Sequence, residues 1–253
     1  MRKPDESDPN RIALMREGGA RLARVKYALN EMVRPGVLFE EIESEAQRLI
    51  KKEDATPSFM TVHGYKYATC ITKNEGCCHG VPVGKKVNPG DLITIDVGLV
   101  YQGYHTDTST TVYAGNEAKA PKEIREFMAI GRQALDNAIA KARAGNSVYD
   151  ISKAIQDTIE DAGYGAVYQL TGHGVGKQLH EDPYIPCVAY VEDKKIKLHE
   201  GQTIAIEPMY AMGNPYLILG KDKWTYETRD KSLTGMFEDT VLITSGNPEI
   251  LTR

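Results

Sequence analysis

The feature that most restricts how this chain can fold is a repeat in the order of its helical and strand patterns. In both copies a glycine-containing turn precedes a helical pattern, and a later strand pattern places an acid after two alternating isoleucines. The matching segments are 34–42 with 143–151, at an offset of 109 residues, and 90–96 with 201–207, at an offset of 111. Isoleucine-rich strands can look alike by chance, but several features recur in the same order, which favours duplication. We therefore predict two pseudo-symmetric helix-helix-strand-strand halves, at about 10–113 and 121–248.

Each half is expected to contain two helices, because apolar residues recur every three or four positions in the segments concerned. Their predicted bounds are Asn10 to about Val33, Phe39 to about Lys52, Pro121 to about Arg143, and Ser147 to about Ala162. Ser147 and Asp150 have the spacing of a capping box at the start of the last helix. In the second helix the same periodicity places the glutamates Glu40, Glu41, Glu43 and Glu45 towards water.

Residues 90–109 have the pattern of a β-hairpin that carries Asp96 on one strand and Asp107 on the other. Alternation of isoleucines with polar residues places Asp96 on the less apolar face. If the chain reverses at Tyr101 and Gln102, Asp96 pairs directly with Asp107. Facing carboxylates roughly 5 Å apart destabilise a sheet unless one is protonated or a cation lies between them. The pattern therefore favours a bound cation.

The second half contains acids in the positions that correspond to these two. Glu207 follows the repeated isoleucine strand, and Glu238 opens a later one. His173, which lies between glycines, is a fifth candidate ligand. Four carboxylates and one imidazole suit Mn²⁺, Fe²⁺, Co²⁺ or Zn²⁺. Because four negative charges exceed what one divalent ion neutralises, we predict two ions sharing Asp96, Asp107, His173, Glu207 and Glu238, an arrangement that supports carbonyl hydrolysis. The alternative for each acid taken alone is a solvated surface charge.

Four other histidines occupy distinct sequence contexts. His79 and His180 lie in turns rich in glycine and proline, before the two repeated strands. A role in proton donation or oxyanion stabilisation beside a metal-bound carbonyl is expected for both. For His105 a structural role is expected, and His63 is expected to line a pocket.

Composition excludes several other classes of protein. The chain has 253 residues, 26% of them charged, and a net charge of -4, so neither nucleic acid nor an anionic membrane is an expected partner. No stretch approaches the ~20 apolar residues of a membrane helix, and the first ten residues lack a targeting pattern. Four unevenly spaced cysteines indicate buried thiols in a cytoplasmic protein, rather than disulfides or a zinc site. One continuous α+β domain over residues 1–253, with a curved, mainly antiparallel sheet, is expected.

Seven short segments resemble a known enzyme family. They are Asn74-Glu-Gly-Cys-Cys-His79-Gly-Val-Pro, Ile95-Asp96-Val, Gly103-Tyr-His-Thr-Asp107-Thr-Ser, Gly172-His173-Gly-Val-Gly, Leu179-His180-Glu-Asp-Pro, Ile206-Glu207-Pro-Met and Phe237-Glu238-Asp-Thr. In these segments the sequence resembles the type I methionine aminopeptidases, and the resemblance extends over nearly the whole chain, from about Arg11 to Thr244. Those enzymes use metal ions to remove the initiator methionine from nascent proteins. The short spacings between the last three ligands indicate type I rather than type II.

The resemblance implies the pita-bread α+β fold and a role for each candidate ligand. Asp96 would chelate one of two divalent ions, Co, Mn, Fe or Zn. Asp107 and Glu238 would bridge both ions, while His173 and Glu207 would hold the other. Glu207 would also act as the general base towards a bridging water.

The resemblance also implies how substrate is bound. His79 and His180 would contact the scissile peptide and stabilise its tetrahedral intermediate, while Tyr65, Cys70 and Trp224 would form the methionine pocket or its rim. A cytoplasmic monomer acting on nascent polypeptide N-termini, including those at the ribosome, is expected.

Three residues depart from the family pattern. Asp239 stands where a histidine is usual, so it adds a negative charge beside a bridging ligand. Phe59 and Leu179 stand where the family has other side chains, so the resemblance predicts hydrolysis more firmly than strict selectivity for methionine. Two alternatives stay open, a proline-specific peptidase of the same fold and a non-catalytic module that binds peptides or proteins.

Overall fold

The computed structural model describes residues 8–253, and the repeat governs its helices. They are α1 Arg11–Asn30, α2 Phe39–Lys52, α3 Lys122–Ile139 and α4 Val148–Asp161. The second and fourth helices follow the predicted bounds closely, whereas α1 and α3 end three or four residues earlier than predicted. Ser147 donates its backbone N–H to Asp150 at 2.7 Å, as the capping-box pattern predicted. The first seven residues, part of the segment in which no targeting pattern was expected, lie outside the described range.

Fifteen strands are assigned within residues 8–253, and the longest two form the central hairpin. The strands are β1 Thr56–Pro57, β2 Thr69–Lys73, β3 Gly76–Cys78, β4 Leu92–Tyr101, β5 Tyr104–Tyr113, β6 Gly165–Ala166, β7 Thr171–Gly174, β8 Glu181–Pro186, β9 Thr203–Ile206, β10 Met209–Ala211, β11 Leu217–Leu219, β12 Tyr226–Thr228, β13 Thr234–Met236, β14 Glu238–Leu242 and β15 Glu249–Ile250. Nine of them form one antiparallel sheet in the order β1-β4-β5-β14-β9-β7-β8, with β2 on β4 and β15 on β14. The other strands form two small three-stranded sheets.

The strand order of the large sheet is symmetric about the β5–β14 pair. On one side β5 pairs with β4 and β4 with β2; on the other β14 pairs with β9 and β9 with β7. In each half, a hydrogen bond joins the turn before the second helix to the segment before β4 or β9. In the first half Gly36 N–H donates to the Val87 carbonyl at 2.9 Å, and in the second half Gly145 N–H donates to the Leu198 carbonyl at 3.0 Å. These positions differ by 109 and 111 residues, the same offsets that relate the sequence repeats. The predicted pseudo-symmetric fold is confirmed.

The predicted pairing within the hairpin is wrong by two residues. The chain reverses at Gln102 and Gly103, whose φ angles of 49° and 83° are those of a type I′ turn. Asp96 therefore pairs with Ser109, and Asp107 with Gly98. Because side chains alternate with a period of two, both aspartates still face the same side, as diagonal neighbours.

The helices cover the apolar face of the sheet. In the first half, Leu22 of α1 and Ile42 of α2 pack with Ile93 and Ile95 of β4, and all four are fully buried. In the second half, side chains of α3 and α4 pack in the same way on Ile204 and its neighbours. Burying a leucine or isoleucine contributes about 1.5–3 kcal/mol, so this layer holds the sheet in place and leaves its opposite face for polar residues.

Two predictions about side-chain surroundings have different outcomes. Glu43 of α2 was predicted to face water but is buried, because its carboxylate accepts the backbone N–H groups of Ala68 and Thr69 at 2.8 and 3.0 Å.

All four cysteines are free and buried, as expected. Within residues 8–253 no helix has the length and apolar character needed to span a membrane.

Candidate active site

A cavity of about 120 Å³ opens on the polar face of the large sheet and contains all the predicted site residues. These are Tyr65, Cys70, His79, Asp96, Asp107, His173, His180, Glu207, Trp224 and Glu238. The remaining lining residues are Phe59, Val62, Cys78 and Leu179. Residues from both sequence halves are therefore brought to one place, on either side of the β5–β14 pair.

Five acidic or imidazole side chains enter this cavity from neighbouring strands. Asp96 and Asp107 come from β4 and β5, Glu238 begins β14, and His173 lies on β7. Glu207 follows directly after the last residue of β9, which pairs with Asp239 of β14. The antiparallel order of these strands thus places Glu207 beside Glu238, with β14 between Glu207 and the strand of Asp107.

Three of these residues offer ligand atoms that all lie within 4.8 Å of one another: Asp107, His173 and Glu238. His173 Nε2 is 3.9 Å from Asp107 Oδ2 and 3.7 Å from Glu207 Oε1. Its other ring nitrogen, Nδ1, lies 2.9 Å from the Gly174 carbonyl and can only donate to it, so Nε2 carries the lone pair that faces the acids. Asp96 and Glu207 border this group of three.

Burial and mutual repulsion raise the pKa of the acids. Desolvation, followed by the charge of Asp107, raises the pKa of Asp96, Glu207 and Glu238 well above its ordinary value. Desolvation also raises the pKa of Asp107 to about 7, against the lowering effect of the Thr108 N–H that donates to it. Because four carboxylates cannot all ionise in so small a dry volume without a counter-charge, the cavity favours either bound protons or bound cations.

The donor set fits divalent cations. Among the residues that line the cavity there is no lysine or arginine to neutralise the acids. Oδ1 of Asp96 is buried and has no hydrogen-bond partner in the described part of the chain. Burial lowers the pKa of His173 to about 3, with a contribution from His180, so its imidazole is neutral and able to ligate at pH 7. Carboxylate oxygens and one neutral imidazole match the preferences of Mn²⁺, Fe²⁺, Co²⁺ and Zn²⁺.

His79 and His180 flank this cluster without joining it. The ring of His180 lies 4.5 Å from that of His173, edge to face, and the ring of His79 packs on Tyr226 at 5.8 Å. Burial lowers the pKa of both imidazoles, that of His79 to about 4. Two neutral imidazoles beside this group of acids can donate hydrogen bonds to an oxygen that gains negative charge.

The opposite end of the cavity is apolar. Phe59, Tyr65, Cys70 and Leu179 form a buried cluster, and Trp224 packs against it with its ring 5.0 Å from that of Tyr65. The hydroxyl of Tyr65 donates to the Thr69 carbonyl at 2.7 Å, so its polar atom is satisfied within the wall. This end of the cavity therefore suits an apolar side chain.

Comparison with known proteins identifies the family. Residues 13–245 match the model of metallopeptidase family M24. The chain belongs to metallopeptidase family M24. Methionine aminopeptidase 1 of Bacillus subtilis is 36% identical over 97% of both chains, and the methionine aminopeptidase of Aquifex aeolicus is 38% identical over 96% of both. The predicted resemblance is confirmed, and this M24 chain is a metal-dependent aminopeptidase.

Solved structures agree with this placement of the M24 chain. Methionine aminopeptidase from Thermotoga maritima has a TM-score of 0.93 at 35% identity and matches 98% of this chain and 99% of its own. A prolidase from Pyrococcus furiosus has a TM-score of 0.75 at 26% identity and matches 97% of this chain but 64% of its own. The pita-bread fold that the sequence predicted is therefore confirmed.

Some residues of this M24 site were not foreseen as functional from the sequence. Val62 and Cys78 line the cavity; Cys78 lies inside the first family segment, directly before His79, whereas Val62 belongs to none of the seven segments. The thiol of Cys187 lies 3.4 Å from the Glu207 carbonyl and accepts the Met209 N–H at 3.4 Å, so it holds the backbone directly after Glu207, on either side of Pro208. Burial raises the pKa of this thiol to about 12, which keeps its proton available for donation.

Two predictions for other histidines of the M24 chain can be compared with the structure. His105 is buried and its Nδ1 lies 2.7 Å from the hydroxyl of buried Ser58, a contact that suits the structural role expected for it. His63 is exposed and is not among the residues that line this cavity, so its expected place in a pocket stays a prediction.

Proposed function

We propose that this M24 peptidase removes the N-terminal methionine from nascent proteins and peptides whose second residue is small. The observation that carries the proposal is the arrangement of one cavity, in which a cluster of buried metal-ligand side chains adjoins an apolar pocket. The pocket would receive the methionine side chain, and the acids would lie beside its amine and its scissile carbonyl. The methionine aminopeptidases among its relatives support this choice of substrate.

We further propose two divalent ions, Mn, Fe, Co or Zn, held by Asp96, Asp107, His173, Glu207 and Glu238. Asp107 and Glu238 are the proposed shared ligands, as the family resemblance implies, and both belong to the group of three whose ligand atoms lie within 4.8 Å of one another. The chemistry that such a pair supplies when bound is polarisation of a carbonyl oxygen and a lowered pKa of coordinated water.

The proposed general base is Glu207. Its carboxylate lies at the edge of the cluster, with Oε1 3.7 Å from His173 Nε2, and it would take a proton from the attacking water and pass it to the leaving amine. His79 and His180 would stabilise the negative charge of the tetrahedral intermediate by donating hydrogen bonds to its oxygen. Nascent chains, including those at the ribosome, are the proposed partners, and a cytoplasmic monomer is the proposed form.

The direct test is release of methionine from a Met-Ala-Ser peptide by the metal-loaded protein. Glu207→Gln should lower kcat by about 10²–10⁴-fold, the usual contribution of a general base. Glu200→Gln, a change of an exposed glutamate in the same half, should leave kcat unchanged. If the metal-loaded wild type binds the peptide and does not cleave it, the protein is a non-catalytic binding module on this fold.

A panel of N-terminal residues separates the proposed activity from that of a proline-specific peptidase. The likeness to the Pyrococcus furiosus prolidase is a likeness of fold at a lower TM-score than that to the Thermotoga maritima enzyme. We expect cleavage of Met-Ala-Ser and none of Ala-Pro. Cleavage of Ala-Pro alone would exclude methionine aminopeptidase activity.

A further inference from the structure

Asp239 is a buried acid directly beside the proposed bridging ligand Glu238, but on the other face of β14. Its carboxylate is 2% exposed and contacts two cations. Arg253 Nε donates to Oδ2 at 2.6 Å, and Lys26 Nζ of α1 lies 3.3 Å from Oδ1. The hydroxyl of Thr252 also donates to Oδ1, at 2.8 Å. The negative charge of Asp239 is therefore compensated by Lys26 and Arg253 on the helix-facing side of the sheet.

A second set of contacts joins Lys26 to both proposed bridging ligands. Lys26 is 6% exposed, and its Nζ donates to the hydroxyl of Thr108 at 2.9 Å. That hydroxyl donates to the backbone carbonyl of Glu238 at 2.7 Å, while the Thr108 N–H donates to Asp107 Oδ1 at 3.0 Å. One buried ammonium thus orients a threonine that contacts one proposed ligand through its backbone and the other through its carboxylate.

Thr252 extends the same network to the backbone of Asp107. It accepts the Thr240 N–H at 3.1 Å, and the Thr240 hydroxyl donates to the Asp107 carbonyl at 2.8 Å while accepting the Asp107 N–H at 2.9 Å. The segment that carries Thr252 and Arg253 is in this way tied to β14 and, through it, to β5. Charges so deeply buried are stable only when their remaining hydrogen bonds are made, as they are around Asp239.

We propose that Lys26, Asp239 and Arg253 are positioning residues, which lock β5 against β14 and thereby set how tightly Asp107 and Glu238 hold a divalent cation. The inference rests on the proposed metal site, since it concerns the same two carboxylates. It is independent of substrate and of the catalytic roles of Glu207 and the histidines. Mutation of residues that contact the ligands of a metal, and not the metal itself, commonly lowers metal affinity by about 10–100-fold.

The test is the affinity of the full-length, metal-free protein for Mn²⁺ alone, measured by titration calorimetry. In Lys26→Met a cation near the site is removed, so simple electrostatics predicts tighter Mn²⁺ binding, whereas loss of positioning predicts weaker binding. The double variant Lys26→Met/Asp239→Asn removes one charge of each sign. Electrostatics alone therefore predicts unchanged Mn²⁺ binding for it, whereas loss of positioning still predicts weaker binding. Arg24→Met, which removes a cation from the exposed side of the same helix, is the matched control.

We expect both Lys26 variants to bind Mn²⁺ about 10-fold or more weakly, and Arg24→Met to bind it as the wild type does. Mn²⁺ binding as tight as or tighter than wild type in Lys26→Met, or unchanged binding in the double variant, overturns the proposal. A lowered melting temperature of the metal-free variants with unchanged Mn²⁺ affinity also overturns it, because that is the result of a merely structural role.

Arg253→Gln provides the same test at an exposed position, should Lys26→Met fail to fold. Weaker Mn²⁺ binding is expected there, with partial recovery in Arg253→Lys, and unchanged binding in Arg253→Gln overturns the proposal. Failure of the metal site itself has a different signature. In that case the wild type binds no Mn²⁺, or binds it with an affinity that Asp107→Asn does not alter.

Discussion

Glu43 and Glu45 lie two positions apart on α2 and have opposite surroundings. Glu43 accepts hydrogen bonds from the backbone of Ala68 and Thr69 and from the Thr69 hydroxyl at 2.6 Å, so it anchors the start of β2 to the helix. Glu45 pairs with Arg48 near the surface of the helix. At the scale of the residue, a buried carboxylate thus stabilises the fold when hydrogen-bond donors surround its oxygens.

Glu43→Gln is expected to destabilise the protein by about 2 kcal/mol, because hydrogen bonds to a buried charge are lost and an amide N–H₂ faces backbone donors. Glu45→Gln, on the same helix, should change the free energy of unfolding by less than about 0.5 kcal/mol. Urea unfolding of both variants measures the difference. Equal stability of the two would show that the Glu43 contacts contribute nothing.

At the scale of the element, the β4–β5 hairpin shows how a turn sets the geometry of a site. Its two turn residues, Gln102 and Gly103, have positive φ angles, and their right-handed twist matches that of the strands. This register makes Asp96 and Asp107 diagonal neighbours, so their Cβ atoms lie further apart than direct pairing would place them. The turn thereby determines the spacing of two proposed metal ligands.

Gly103→Ala is expected to cost about 1–2 kcal/mol, because an alanine at this positive φ brings its Cβ close to the backbone. Apart from residue 103 itself and its two chain neighbours, a Cβ at Gly103 meets no atom within 4 Å, so contacts with the rest of the protein do not contribute to the loss. Gln102→Asn should be neutral or slightly stabilising, since asparagine tolerates the left-handed region. The measurement is the free energy of unfolding in urea, and a neutral Gly103→Ala would contradict the assigned turn.

At the scale of the whole molecule, the polar face of the sheet is a source of instability that cation binding relieves. The acids of the cavity have raised pKa values because their ionised forms are desolvated and repel one another. In metal-free protein their protonated forms therefore stabilise the fold at low pH, and this contribution is lost as pH rises through the pKa of Asp107, about 7. Cations bind the ionised forms and reverse the trend.

Addition of Mn²⁺ is accordingly expected to raise the melting temperature more at pH 8 than at pH 5.5. The reason is that protons compete for the carboxylates at the lower pH, while His173, with its pKa lowered to about 3, stays neutral at both. Thermal unfolding with and without Mn²⁺ across this range is the measurement. A shift that is independent of pH would show that the ion binds elsewhere, and Asp107→Asn should weaken the pH dependence, because one of the four carboxylates that exchange protons for the cation is removed.

The sequence by itself determined the features that depend on neighbouring residues. Helical periodicity and the capping-box pair Ser147 and Asp150 predicted the helices to within a few residues, because these signals act within one or two turns. The repeat predicted the symmetric sheet, since two copies of one pattern bury their apolar faces in the same way. Most of the residues that line the cavity were also predicted, in part through family resemblance, whereas Val62 and Cys78 were not.

Tertiary structure alone decided the features that depend on distant partners. The hairpin register followed from the backbone conformation of its turn, and the burial of Glu43 followed from donors that lie 25 and 26 residues away along the chain. Asp239 appeared in the sequence as an added charge beside a ligand, yet in the fold it is neutralised by Lys26, which is 213 residues away. Patterns along the chain report which face a side chain occupies, but the group that meets it there is set by how the helices and strands pack together.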